Sequence, residues 1–129
     1  PVMRRSGAGG SIINVSSMLG RIPFAPIRSA YGASKHFLNA LTANLRAELA
    51  QTHPGIRVSL VSPGVVYTDF GRNALHGGPD SRSFTEGQTA EEVAAVIADV
   101  VESPRDDVYT RAGAAGRVAG YYASVGVDP

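Results

Sequence analysis

The chain has 129 residues and contains no cysteine and no tryptophan. The absence of cysteine excludes disulfide bonds and thiolate metal sites, and it favours a reducing compartment, so we expect a cytoplasmic protein. No apolar run approaches the roughly 18 residues of a membrane-spanning helix, so we expect no membrane span. The densest basic spot is only the pair Arg4 and Arg5, and the sequence therefore predicts no nucleic-acid binding.

Lysine is almost missing as well, because eleven of the twelve basic residues are arginine and Lys35 is the one lysine. The rest of the composition is ordinary, with 43% apolar residues, 18% charged residues and a net charge of +1. These values are typical of a single globular domain. The chain begins with proline, which favours a processed product or a piece of a longer protein.

Three short apolar runs predict three strands. They lie at 11–17 around Ile12, Ile13 and Val15, at 56–62 ("IRVSLVS") and at 106–110 ("DDVYT"). The first run does not alternate, which is typical of a strand buried on both faces of a parallel sheet. Residues 18–30 read as a loop with two prolines and a glycine, and residues 69–88 as a polar, glycine-rich, mobile loop.

Three helices are predicted between and after these strands. The longest covers 29–51, with Ser29 as N-cap and an apolar face of leucines. The second begins after Thr89, whose spacing to Glu92 predicts a capping box. A short third helix is predicted within 113–126. Strands and helices that alternate in this order indicate an α/β fold with a parallel sheet. The apolar face of the first helix comprises Leu38, Leu41, Leu45 and Leu49, widened by Phe37, Ala40 and Ala47.

Tyr31 and Lys35 stand four residues apart at the start of the long helix, so they share one helix face. At a separation of about 4 Å and an effective dielectric of about 20, an ammonium would attract a phenolate by roughly 4 kcal/mol. Such a tyrosine is suited to general acid and base chemistry. Alone, the spacing is equally consistent with two surface residues.

Polar residues also follow the first two strands. Ser16 and Ser17 end the run "NVSS", and "SPGVVYT" at 62–68 ends the second strand. In open α/β sheets ligands bind at the carboxyl ends of the strands. Each motif alone is also consistent with local backbone capping or an ordinary turn. Together with Tyr31 and Lys35, they predict one pocket at this edge of the sheet.

The motifs "GGSIINVSS", "YGASK" and "IRVSLVSPGVVYTD" together resemble the second half of a short-chain dehydrogenase/reductase. The resemblance is strong over residues 2–70 and weaker beyond. It implies a partial Rossmann-like sheet, made of the last three strands with flanking helices, in which the N-terminal nucleotide-binding half is missing. Residues 1–129 would then be the C-terminal portion of one such domain.

The resemblance implies an NAD(P)-dependent oxidoreductase that exchanges a hydride between NAD or NADP and a small alcohol or carbonyl substrate. Tyr31 would be the general acid and base, Lys35 would bind the nicotinamide ribose, and Ser17 would orient the substrate. Helix 29–51 would match the helix through which these enzymes commonly form homo-oligomers, so the full-length form is expected to be one. Residues implied to line the nicotinamide site are Pro63, Gly64, Val66 and Thr68.

The sequence departs from the family pattern in two ways. Ser17 precedes Tyr31 by one residue more than usual, so Ser16 is the alternative active serine. No G-x-G-x-x-G motif is present, and "GAGG" at 7–10 precedes a strand instead of following one. Asn14 is not the match of the asparagine that the family places in its proton relay. The alternative function is therefore a non-catalytic half-domain that associates through helix 29–51. His76 is expected to be a solvated loop residue.

Overall fold

The structure is a computed structural model that describes residues 3, 7, 9–23, 25, 26 and 28–126. Three strands form one parallel sheet in the order β1-β2-β3, with β1 at Gly10–Val15, β2 at Ile56–Ser62 and β3 at Asp107–Tyr109. This confirms the predicted α/β class. Arg4 and Arg5, Ala8 of the "GAGG" segment, and two residues of the predicted 18–30 loop lie outside the described residues.

Within residues 9–126, the described segments contain three α-helices that accompany the sheet: α1 at Ser29–Thr52, α2 at Ala90–Glu102 and α3 at Ala114–Val125. Short 3₁₀ turns lie at Met18–Gly20 and Ser81–Ser83. The predicted capping box at α2 is confirmed, because Thr89 accepts from the Glu92 amide while the Glu92 carboxylate accepts from the Thr89 amide. No described helix combines the length and hydropathy that crossing a bilayer requires.

The sheet carries α1 on one face and α2 on the other. On the α1 face, Asn14 of β1 donates to Thr42 Oγ1 at 2.8 Å. On the α2 face, Val61, Val100 and Val108 form a buried cluster. Alternate residues of a strand point to opposite faces, which places odd-numbered β2 residues toward α2 and even-numbered ones toward α1. β2 is accordingly buried throughout except at Arg57.

The run that forms β1 has the composition of a strand buried on both faces, but in this structure β1 is an edge strand. Its side chains are half-buried, and Val15 is 44% exposed. The reason is its place at the edge of the sheet: among the described residues, β1 pairs only with β2. Apolar composition indicates which side chains can be buried, but it does not supply the neighbouring elements that would cover them.

Two predictions about α1 also need correction. Ser29 is the first helical residue, and Arg28 takes the N-cap position without a side-chain capping bond. The predicted apolar face is only partly covered: Leu38, Leu45 and Leu49 are half-buried, whereas Leu41 is 48% exposed and Phe37 is 70% exposed. The positions of α1 buried against the rest of the fold are Asn39 and Thr42, because polar groups from β1 and the following turn meet the helix there.

Candidate active site

The carboxyl end of β1 continues into a turn that is held against the end of β2. The Ser16 amide donates to the Val61 carbonyl at 2.7 Å, and the Met18 amide donates to the Pro63 carbonyl at 2.8 Å. These bonds extend the pairing of the two strands beyond β1. They hold residues 16–17 next to residues 62–64, at the carboxyl edge of the parallel sheet.

Ser16 belongs to a buried polar network that joins this turn to α1. Its hydroxyl donates to Asn39 Oδ1 at 2.5 Å and lies 3.4 Å from the Lys35 carbonyl oxygen. The Asn39 amide nitrogen in turn donates to the Gly20 carbonyl at 2.6 Å. A Cβ at Gly20 would press on Asn39 and Ser16, so the tight contact needs glycine. The Ser16 hydroxyl proton is thus used in a structural hydrogen bond.

Ser17 has a different environment although it is the next residue. It is the N-cap of the 3₁₀ turn, where its Oγ accepts from the Leu19 amide at 3.1 Å. Among the described residues, no acceptor takes the Ser17 hydroxyl proton. That proton can therefore be donated to a ligand in the adjoining cavity.

Lys35 connects α1 to the end of β1. Its ammonium Nζ donates to the Val15 carbonyl at 3.0 Å and lies 5.7 Å from the centroid of the Tyr31 ring. That distance is within cation–π range. An ammonium has three protons, so two remain for a ligand after the bond to Val15. The Tyr31 ring also contacts Phe70, with centroids 5.9 Å apart.

After β2 the chain leaves the sheet through Pro63 and Gly64 and forms a small second pairing. The amide of Tyr67 donates to the Gln88 carbonyl, and the amide of Gln88 donates to the Val65 carbonyl, each at 2.9 Å.

Thr68 Oγ1 accepts from the Phe70 amide at 3.3 Å, which leaves the Thr68 hydroxyl proton for a ligand.

A cavity of about 660 Å³ opens between these segments. Its size is in the range of small-molecule and cofactor sites. The sequence-predicted residues that line it together are Ser16, Ser17, Tyr31, Lys35, Pro63, Gly64, Val66 and Thr68. The structure brings all of them to one space at the carboxyl edge of the sheet. Exposed His76 is not among the lining residues.

The loop at 69–88 supplies a wall that the sequence analysis missed. Phe70, Ala74, Pro79 and Phe84 line the cavity from this side, so the loop contributes mainly apolar surface. The two phenylalanines were the available signal, because large apolar side chains in a polar loop need a place to pack. Arg28, which precedes α1, also lines the cavity and was not predicted.

Four charged side chains tie the two ends of this loop together. Arg82 donates to Asp69 at 2.8 Å and to Asp80 at 3.4 Å, and Arg72 lies 3.6 Å from both carboxylates. The hydrogen bond from the Arg82 side chain lowers the pKa of Asp69, and the bond from the Arg82 amide lowers the pKa of Asp80. Nearby, Gly71 meets the Pro79 carbonyl so closely that a Cβ has no room.

Known proteins resemble this chain in sequence and in structure. The family model described as short chain dehydrogenase matches residues 1–77. The chain is 36% identical over 104 residues to dehydrogenase/reductase SDR family member 7B of Mus musculus, and this match covers 77% of the chain and 31% of that protein. It is 44% identical over 70 residues to sulfoacetaldehyde reductase 2 of Chromohalobacter salexigens, and this match covers 54% of the chain and 27% of that protein.

A short chain dehydrogenase from Burkholderia cenocepacia, solved in complex with NADP, superimposes with a TM-score of 0.67 at 34% identity. The match covers 90% of this chain and 45% of that one. The chain thus spans about a third or less of the two curated relatives and about half of the solved structure.

Proposed function

The chain belongs to the short-chain dehydrogenase family, and from that premise we propose that it carries the catalytic part of an NAD- or NADP-dependent oxidoreductase acting on an alcohol or carbonyl compound. The observation behind the proposal is the convergence of Tyr31, Lys35 and Ser17 on one cavity at the carboxyl edge of the sheet. Two similarities support it: one relative is named as an aldehyde reductase, and the Burkholderia cenocepacia structure holds NADP.

The cavity fits the nicotinamide end of the cofactor. The two remaining protons of the Lys35 ammonium suit the hydroxyl pair of a ribose, and the Thr68 hydroxyl and the Val66 backbone suit a carboxamide. Pro63 and Gly64 would form the wall behind the ring. The chain has no G-x-G-x-x-G motif, so none of its residues is assigned to the pyrophosphate. Once bound, the cofactor supplies or accepts the hydride.

Three side chains of the site would then orient the substrate, transfer the proton and stabilise the charge that forms. Ser17 donates a hydrogen bond to the substrate oxygen and orients it, and it keeps its proton throughout. Tyr31 gives a proton to that oxygen during carbonyl reduction, or takes one from it during alcohol oxidation. The Lys35 ammonium stabilises the phenolate that Tyr31 forms. These roles agree with the hydrogen bonds that Ser17 and Lys35 already make, since each retains a proton to donate.

Tyr31→Phe is the direct test, made in the full-length natural protein that carries these 129 residues. The variant keeps the ring contact with Phe70 and removes only the hydroxyl. We expect kcat for aldehyde reduction to fall by about 10²–10⁴-fold, the usual share of general acid–base catalysis. Steady-state kinetics with NADH and NADPH measure it, and Tyr122→Phe on α3 is the matched control. Turnover that survives Tyr31→Phe would remove the tyrosine from the mechanism.

A second candidate is a non-catalytic half-domain that associates through α1. The exposure of Phe37 and Leu41 on that helix favours it. NADH and NADPH fluorescence titrations of the purified 129-residue chain separate the candidates. Binding supports a self-sufficient cofactor site, whereas no binding at millimolar cofactor favours the half-domain for this chain alone.

A further inference from the structure

Most arginines of this chain are paired with a carboxylate. Among the nine arginines that the structure describes, six form ion pairs with aspartate or glutamate. The three without such a partner among the described residues are Arg28, Arg57 and Arg117. Arg57 and Arg117 are exposed, as is usual for a solvated arginine. Arg28 is half-buried and lines the candidate cavity.

The described lining of the cavity offers Arg28 no carboxylate partner. Of the described residues that line it, none is aspartate or glutamate, and the two cations are Arg28 and Lys35. The acidic residues of the adjoining loop are bound by other arginines, Asp69 and Asp80 by Arg72 and Arg82 and Glu86 by Arg111, and none of them is part of the lining. The guanidinium of Arg28 also makes no side-chain capping bond to α1.

Lys35 and Arg28 have different surroundings within the cavity. Lys35 is bound to the Val15 carbonyl at the end of β1. Arg28 immediately precedes α1, three residues before Tyr31, and also borders a small second cavity with Leu19. A guanidinium binds carboxylates and related anions through two parallel hydrogen bonds. Tyr31 contacts Phe70, and Phe84 adds further apolar surface to the lining of the cavity.

We propose that Arg28 is a specificity-determining residue that binds an anionic group of the substrate, and that the substrate class is a carbonyl compound or alcohol with a carboxylate, or a similar anion, on an apolar body. The apolar body lies against Phe70 and Phe84, and the anion lies on Arg28. Tyr31 then faces the oxygen of the reacting carbon. This inference rests on the proposed function for the reaction, but the binding of the anion does not depend on turnover.

The binding experiment uses two probes that cannot react, 4-methylbenzoate and the uncharged 4-methylbenzamide, with the full-length natural protein. We expect calorimetry to show at least about tenfold tighter binding of the benzoate, as a charge-assisted hydrogen bond provides. Arg28→Gln should remove this preference, and Arg28→Lys should retain part of it. Arg57→Gln, which changes an exposed and unpaired arginine on β2, is the matched control. Equal binding of the two probes by the unchanged protein would overturn the inference.

The kinetic experiment compares 4-carboxybenzaldehyde with 4-formylbenzamide as substrates. We expect the ratio of their kcat/KM values to fall at least about tenfold in Arg28→Gln. A phosphate of the cofactor is the other anion that could occupy Arg28. If Arg28→Gln weakens NADH or NADPH binding and leaves the benzoate preference intact, the arginine serves the cofactor and the inference is wrong. A benzoate preference without any aldehyde reduction would support the anion site and reject the proposed reaction.

Discussion

Ser16 and Ser17 are neighbours in the chain, yet their hydroxyl groups have opposite surroundings. Ser16 donates to buried Asn39, whereas the Ser17 hydroxyl lines the cavity and, within the described part of the chain, only accepts a bond. The sequence identified both serines as candidates for the active serine, but it could not show which of the two hydroxyl groups is free to bind a substrate. The distinction comes from a partner 23 residues further along the chain, which no local pattern contains.

Alanine substitutions should separate the two serines by stability and by activity. Ser16→Ala leaves the buried Asn39 oxygen without its donor, so we expect a loss of about 1–3 kcal/mol in the free energy of unfolding. Ser17→Ala removes the proton proposed to orient the substrate, so we expect kcat/KM to fall by about 10–100-fold with a smaller change in stability. Urea unfolding and steady-state kinetics measure the two effects. A fall in activity confined to Ser16→Ala would reverse the assignment.

At the scale of elements, apolar periodicity was sufficient to predict where the helices and strands lie. The long helix was expected at 29–51 and is observed at Ser29–Thr52, and the α2 capping box was predicted with both partners. The 69–88 loop could not be predicted in the same way. Its conformation depends on bonds such as Arg82 to Asp69 and Gly87 to Tyr67, which join residues 13 and 20 positions apart.

The charged cluster of this loop predicts a response to acid. The pKa values of Asp69 and Asp80 are lowered from 3.8 by Arg82. The stabilisation they give is therefore complete above the ordinary carboxyl pKa and is lost as the pH falls below it. We expect the amide NMR signals of Ala74 and Gly77 to shift and broaden below about pH 4.

Arg82→Gln should produce the same change in the loop signals already at pH 7, because it removes the cation that lies closer to both carboxylates than Arg72 does. The matched control is Arg105→Gln, which breaks the ion pair with Asp99 on α2, outside the loop. If the loop signals change only above pH 5, or do not change in Arg82→Gln, the ion pairs of Arg82 with Asp69 and Asp80 do not order the loop.

For the molecule as a whole, α1 presents large apolar side chains that its own fold does not cover. Phe37 is 70% exposed and Leu41 is 48% exposed, whereas the helix buries Asn39 and Thr42. The apolar face was predicted from the spacing of the leucines, and its use in a homo-oligomer was implied by the family resemblance. The first is present as an exposed surface, and the second stays a prediction, because apolar exposure indicates a partner without identifying it.

Phe37→Asp in the full-length natural protein tests whether this surface joins two copies. A carboxylate in an apolar interface costs several kcal/mol of association, so we expect the protein to elute as a smaller species in size-exclusion chromatography with light scattering. Because Phe37 contributes little to the core, the melting temperature of the separated subunit should fall only slightly. Asn44→Asp, on an exposed position of the same helix, is the charge-matched control. An unchanged mass for Phe37→Asp would place any interface elsewhere.

Lys35, which bonds to the carbonyl at the end of β1, has a practical consequence for labelling chemistry. It is the one lysine of the chain, so an amine-reactive reagent finds its only lysine target beside Tyr31. Acylation of that nitrogen can be located by mass spectrometry in a single peptide. Its rate then reports on the occupancy of the cavity, because any ligand that covers the ammonium slows the modification.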